Sequence, residues 1–227
     1  MTTHDKPITL RDWEVRAVLN GVTQIRRVVK PQPIKDGDYW FWFREYPDRD
    51  STWIQWSEED LRELIPHAEE VGIDIPHYKP GRRLWVRERF FAWSGGAAGL
   101  GEDILFDGDP EIPSLIGDNN ALLYARELSN GIVGKWRWHA AITMPHWASR
   151  ITLEVVSVGA GRVQDVTYQD ALLEGWHPAI GRVELPITSQ GLIDTAHDWC
   201  KTSWNTGNPK YPWSTNPWNW VYQVRRA

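Results

Sequence analysis

Asp170 and Glu174 lie four residues apart in the run TYQDALLEG, which places both carboxylates on one face of a short helix. Two carboxylates at that spacing can do acid–base work where burial separates their pKa values. The ordinary alternative is a solvated helix surface. Arg26 and Arg27 are adjacent in TQIRR, residues 23–27. Neighbours on a strand point to opposite faces, so one of the two faces any given groove. There a guanidinium can grip a phosphate or carboxylate in a bidentate manner, and a surface ion pair fits the same spacing. In RLWVRERFFAW (83–93), Trp85, Arg87, Arg89, Phe91 and Trp93 share one face of an expected strand. Leu84, Val86, Glu88, Phe90 and Ala92 share the other. Aromatics interleaved with arginines can stack bases and hold phosphates. They also occur where arginines merely cover aromatic rings or pair with acids.

Other chemistries lack their residues. His139, His146, His177 and His197 show no metal-type pairing, and no metal or cofactor is expected. The loop GGAAGLG (95–101) is followed by Glu102 rather than the Lys-Ser/Thr that closes a phosphate loop. The single cysteine, Cys200, excludes an internal disulfide. It falls on an apolar helical stripe beside Trp199, as a core residue would. With 25 basic and 30 acidic residues the net charge is −5, which argues against broad, salt-driven binding to a nucleic-acid backbone. A local basic groove is compatible with it. Most of the 16 tryptophans are expected in the core, with a few left as stacking platforms. No apolar stretch approaches the ~20 residues of a membrane span. The start, MTTHDKPITL, lacks the basic and apolar regions of a secretion signal. A cytoplasmic protein is expected.

The elements that must hold these residues can be read in order. Residues 7–10 are extended, and RDWEVRAVLN (11–20) is a short amphipathic helix ended by Gly21. Residues 23–30 form a strand stopped by Pro31 and Pro33. The aromatic runs YWFWFR (39–44) and TWIQW (52–56) can form a hairpin across the polar turn 45–51. Ser57 with Asp60 caps a helix to about Val71, and residues 83–93 are one strand. Residues 102–120 are acidic and read as an irregular excursion, followed by a short strand at 121–126. Pro145 forces Met144 toward extended geometry. Residues 150–158 alternate as a half-buried strand with Ile151, Leu153 and Val155 inward. Gly159 and Gly161 then make a turn. Thr167 and Asp170 form a capping box, and the helix they open ends at Gly175. A helix over 188–204 carries the stripe Ile193, Ala196, Trp199, Cys200 and Trp204, and 218–225 is the closing strand. Strands and helices in non-alternating order point to an α+β domain.

Five segments together resemble the phage and prophage branch of the ASCH family, within the PUA-like superfamily. They are EVRAVLNG–TQIRR (14–27), GRRLWVRE (81–88), MPHWASRITLEV (144–155), QDVTYQDALLEG (164–175) and NPWNWVYQVRR (216–226). The resemblance implies one domain over 1–227, a small β-barrel with helices around it, and insertions around 34–80 and 94–142. It implies a cleft that takes RNA, a single-stranded nucleic-acid segment or a nucleotide, in a bacterial host cell. Residues placed in that cleft are Gln24, Arg26 and Arg27, then Arg87 and Glu88, then Trp147, Ser149 and Arg150. Arginines would hold phosphate, Trp147 would stack a base, and Glu88 or Glu174 would accept from a base amino group. One bacterial branch removes acyl groups from N4 of cytidine, using a lysine and a threonine after the helix-ending glycine and a glutamate on the later short helix. Glu174 matches the glutamate, but the lysine position falls on Val22 and the threonine position on Ile25. Thr23 survives as a neighbouring hydroxyl. A threonine nucleophile needs a base, and neither Val22 nor Ile25 supplies that chemistry. An amidohydrolase using Thr23 and Glu174 is therefore the second expectation. A module binding a host protein is the third.

Overall fold

A computed structural model of the chain describes residues 5–30, 32–44, 52–57, 59, 78–95, 100–106, 134–177 and 188–227. The expected helix from Ser57, the turn at 45–51 and the strand at 121–126 lie wholly or mostly outside the described residues. The described part is mixed α+β. It divides into two compact units, each built from two separate stretches of chain.

The first unit comprises Met1–Arg16 and Arg83–Leu153. Strand β1 (Lys6–Thr9) runs parallel to the strand Arg83–Arg87, pairing Lys6 with Leu84 and Thr9 with Arg87. Helix α1 (Asp12–Leu19) follows; its last turn belongs to the second unit. Its start is fixed by Glu14, whose carboxylate accepts from the Arg11 N–H at 2.8 Å. Strand Phe90–Gly95 is central to a three-stranded antiparallel sheet, between Leu100–Phe106 and Gly134–His139. Trp85, Phe90, Ala92, Met144 and Ala148 form the core here.

Two expectations change in this unit. The single strand expected over 83–93 is two strands, Arg83–Arg87 and Phe90–Gly95. The break falls on Glu88 and Arg89, whose charges are tied to Arg150 and Asp12, and the two halves pair with different neighbours. The acidic stretch after 101 is strand as far as Phe106, because Ile104, Leu105 and Phe106 pair with Ala92, Phe91 and Phe90. Sheet pairing there outweighs the acidic composition. Pro145 acts as expected, holding Met144 extended between two short 3-10 turns, Ala141–Thr143 and His146–Ala148.

The second unit comprises Ala17–Arg82 and Glu154–Ala227. In chain order the strands of both units are β1 (Lys6–Thr9), β2 (Gln24–Val28), β3 (Ile34–Asp36), β4 (Tyr39–Arg44), β5 (Thr52–Trp56), β6 (Arg83–Arg87), β7 (Phe90–Gly95), β8 (Leu100–Phe106), β9 (Gly134–His139), β10 (Thr152–Arg162) and β11 (Trp218–Arg226). In the second unit β11 lies between β10 and β2, and β2 pairs with it antiparallel, Gln24 opposite Gln223 and Val28 opposite Asn219. Strands β3, β4 and β5 make a separate antiparallel meander that includes the expected aromatic hairpin. Among the described residues no sheet closes into a barrel.

The capping box is present: the Thr167 hydroxyl accepts from the Asp170 N–H, and the Asp170 carboxylate accepts from the Thr167 N–H. It opens α2 (Tyr168–Leu173), which ends at Gly175 with φ +105°. Helix α3 (Ser189–Gly207) is capped by Thr188. It packs Ala196, Cys200 and Trp204 against Val163, Val166, Ala171, Trp176 and Trp213. Ile193, expected on that stripe, is exposed. Gly159 and Gly161 form no turn; β10 runs through both. Neither has a positive φ, and the Gly161 carbonyl accepts from the Asn219 side chain at 2.8 Å, which keeps β10 on β11.

Candidate functional site

The candidate residues fall into two groups, one in each unit. In the second unit the site begins with a close approach of backbone. A Cβ on Gly175 would lie 2.6 Å from the Ala17 Cβ, so only a glycine beside an alanine lets the end of α2 settle against the end of α1. That contact puts Glu174 beside β2. Gln24 and Arg26 alternate with the buried Ile25, so both present themselves to the two carboxylates of α2.

A connected polar network results. The Gln24 amide donates to Asp170 Oδ1 at 3.0 Å and to Glu174 Oε1 at 2.8 Å. Arg26 Nε donates to the same Glu174 oxygen, Nη2 lies 3.4 Å from Asp170 Oδ1, and Nη1 donates to the side-chain oxygen Oδ1 of Asn219 at 3.3 Å. The Gln223 side-chain amide completes it by donating to Oε1 of the Gln24 side chain. Gln24, Glu174 and Asn219 are all buried. The second oxygen of Glu174 takes no hydrogen bond from the described residues.

The two carboxylates are pushed apart, as the paired-carboxylate expectation required. Burial raises the pKa of Glu174, against the opposing influence of Arg26 and Gln24. Burial also works against Asp170, but hydrogen bonds from Gln24 and Thr167 and the charge of Arg26 outweigh it and lower its pKa. Cys200 has its thiol pushed up to about 12, by burial first and then by the charge of Glu174. That leaves it a core residue without thiolate chemistry.

Sequence reasoning placed Gln24, Arg26 and Glu174 in the site and missed Asn219 and Gln223, whose shared strand parity in NWVYQ was the available signal. Arg26 is paired with Glu174, Asp170 and Asn219. Arg27 donates to the Arg26 carbonyl at 2.7 Å. Among the described residues no hydrogen bond joins Thr23 to Glu174; the Thr23 carbonyl accepts from the Val224 N–H.

In the first unit Arg150 grips Glu88 through two hydrogen bonds, 3.0 and 2.9 Å, with its guanidinium 4.0 Å from the Phe106 ring centre. The Ser149 hydroxyl donates to the Val86 carbonyl at 2.8 Å and stands 3.1 Å from the Ile151 carbonyl, so it ties local backbone. Trp147 is 62 % exposed. Arg87 lies over the Trp85 ring, 4.7 Å from its centre, and the buried Nε has no hydrogen-bond partner. An unmet buried donor costs about 1–3 kcal/mol. His146 meets the same Trp85 ring at 5.1 Å. His139 stacks on Phe90 with its Nε2 buried and without a partner, and burial, then Arg137, lowers its pKa.

Among the described residues no group of His, Cys, Asp and Glu has the arrangement of a metal site. No helix there is long and apolar enough to cross a membrane. No family model, no curated protein and no solved structure matches the chain.

Proposed function

We propose that the protein binds a nucleotide or a short single-stranded nucleic-acid segment, RNA first, through the ASCH-type residues of its sequence. The observation that supports this reading is the buried Arg26–Glu174 pair, in which the second carboxylate oxygen takes no hydrogen bond from the described residues. A buried ion pair adds little stability over an apolar pair of similar size. Perturbed, desolvated carboxylates gather at functional sites. One guanidinium against two carboxylates leaves the network acceptor-rich, which suits the amino group of a base rather than a phosphate. Separately, within the first unit, Trp147 would stack a base and Arg87 would hold a phosphate. A PUA-like architecture and a phage or prophage origin are proposed with it, on sequence resemblance alone.

A second reading, an amidohydrolase on an N4-acylated cytidine-type nucleoside, draws on the raised pKa of Glu174, the property of a general acid. Val22 and Ile25 stand where its catalytic pair would be.

The test is calorimetric titration with nucleosides, short RNA and short DNA, followed by mass spectrometry of each mixture. Binding that is lost in Glu174→Gln, with no product, supports the binding site. An altered nucleoside with wild type but not Glu174→Gln supports the enzyme. Wild-type protein that binds none of these ligands overturns both.

A further inference from the structure

Gly159 and Gly161 stand inside β10, yet neither is explained by backbone or packing. Neither has a positive φ, and a Cβ built on either meets nothing among the described residues within 4 Å. Glycine within a strand weakens it, and a recurring reason for its presence is the close approach of a ligand or another backbone. The face on which this space opens follows from strand parity, since neighbours along a strand point to opposite faces. The Arg162 guanidinium lies 5.5 Å from the centre of the Trp218 ring, so these two share a face. Their neighbours Gly161 and Asn219 share the other face, and Gly159 joins them two residues away. Asn219 stands opposite Val28 and Gln223 opposite Gln24, which puts the polar network on that same face. The Val163 N–H bonded to the Pro217 carbonyl and the Arg225–Glu154 pair run β10 antiparallel along β11. Gly159 therefore lies alongside the stretch from Asn219 to Gln223. The Gly161 carbonyl accepts from Asn219, whose own oxygen accepts from Arg26, whose Nε donates to Glu174.

The network also fixes what it offers beside this bare floor. Asp170 and Glu174 accept from the Gln24 amide, so the Gln24 oxygen turns away from them, and Gln223 presents its NH2 group to it. Among the described residues the Gln223 oxygen and its second N–H take no further hydrogen bond. The Glu174 side chain is only 10 % exposed, and its Oε2 takes none either. A buried polar atom in that condition calls for a partner. We propose that an adenine base lies flat on the backbone of Gly159 and Gly161, with its amino group turned to Gln223 and Glu174. This rests on the nucleotide reading of the same network and names the base. A side-chain amide forks to a donor beside an acceptor, which is the pattern of the adenine amino group and the ring nitrogen next to it. Guanine and uracil carry a carbonyl oxygen in place of that amino group, and the Glu174 carboxylate would repel it. Cytosine has the pattern but a single ring. Residues two apart on a strand are roughly 6.5 Å apart, so a floor two glycines long suits a bicyclic base.

The experiment is isothermal titration of the full chain with adenosine, inosine, guanosine and cytidine. Adenosine should bind tightest, about tenfold or more ahead of inosine, which lacks the amino group. Gly159→Val fills open space with a residue that suits a strand, so urea unfolding should show no loss of stability. The same variant should bind adenosine about tenfold or more weakly, because the ring loses its floor. Gly159→Ala gives a smaller version of the same change should the valine variant unfold early. Gln223→Leu should lose the advantage of adenosine over inosine. A folded Gly159→Val that binds adenosine like wild type overturns the floor. Inosine or cytidine bound as tightly as adenosine overturns the choice of base and leaves the nucleotide reading standing. A wild type that binds no nucleoside overturns that reading and this proposal with it.

Discussion

Replacing Arg26 with methionine removes the cation of a buried pair and leaves its volume nearly filled. Among the described residues Glu174 then keeps the Gln24 amide alone as donor, in surroundings that already oppose its charge. Breaking a buried pair from one side costs about 3–5 kcal/mol. The cost depends on pH, and its sign follows from Glu174. Its folded pKa is raised, so the stability it contributes is full below the ordinary glutamate value and is lost as pH rises through the raised value. Arg26 is what holds that rise in check, so its removal pushes the folded pKa higher still. The deficit of Arg26→Met against wild type should therefore widen between about pH 5 and about pH 8. Urea unfolding followed by tryptophan fluorescence at both pH values measures it. The double variant Arg26→Met, Glu174→Met should return to within about 1 kcal/mol of wild type, or exceed it, because the desolvated charges are gone together. It should also no longer bind a nucleoside. A single-variant loss below about 1 kcal/mol, a deficit that shrinks with rising pH, or a double variant as unstable as the two singles summed would each refute the reasoning.

Three further outcomes follow from local geometry. Gly175→Ala combines a positive φ with a Cβ 2.6 Å from Ala17 and should destabilise by roughly 2 kcal/mol or more in the same urea assay. Thr167→Ala removes the cap of α2 and should cost about 1 kcal/mol, while Gly175 and the α2 contacts remain. Cys200, with its thiol near 12, should ignore a thiol reagent at neutral pH in the native protein and react promptly in urea.

The parts legible in the sequence were those whose chemistry is local. The Thr167–Asp170 box spans three residues and can be seen without any knowledge of the fold. Gly21 and Gly175 ended their helices because left-handed backbone belongs to glycine. The illegible parts were decided by neighbours. Glu88 and Arg89 look like two more residues of a strand until Arg150 and Asp12 are known to hold them. Gly159 and Gly161 look like a turn until β11 is known to run alongside. In the site, the choice of Gln24, Arg26 and Glu174 was available from residue type. That Asn219 and Gln223 join them, and that Arg26 pairs with Glu174, is a fact of partners 148 to 199 residues away.

That separation has a consequence for how the protein comes into being. Gln24 and Gln223 face each other across one ladder, 199 residues apart in the chain. A ribosome needs about 10–40 s to make that stretch at 5–20 residues per second. Through that interval β2 has left the tunnel with its arginine and its glutamine and has no strand to lie against. The polar network thus cannot assemble before β11 is made, and unfinished products that stop before β11 are born without it.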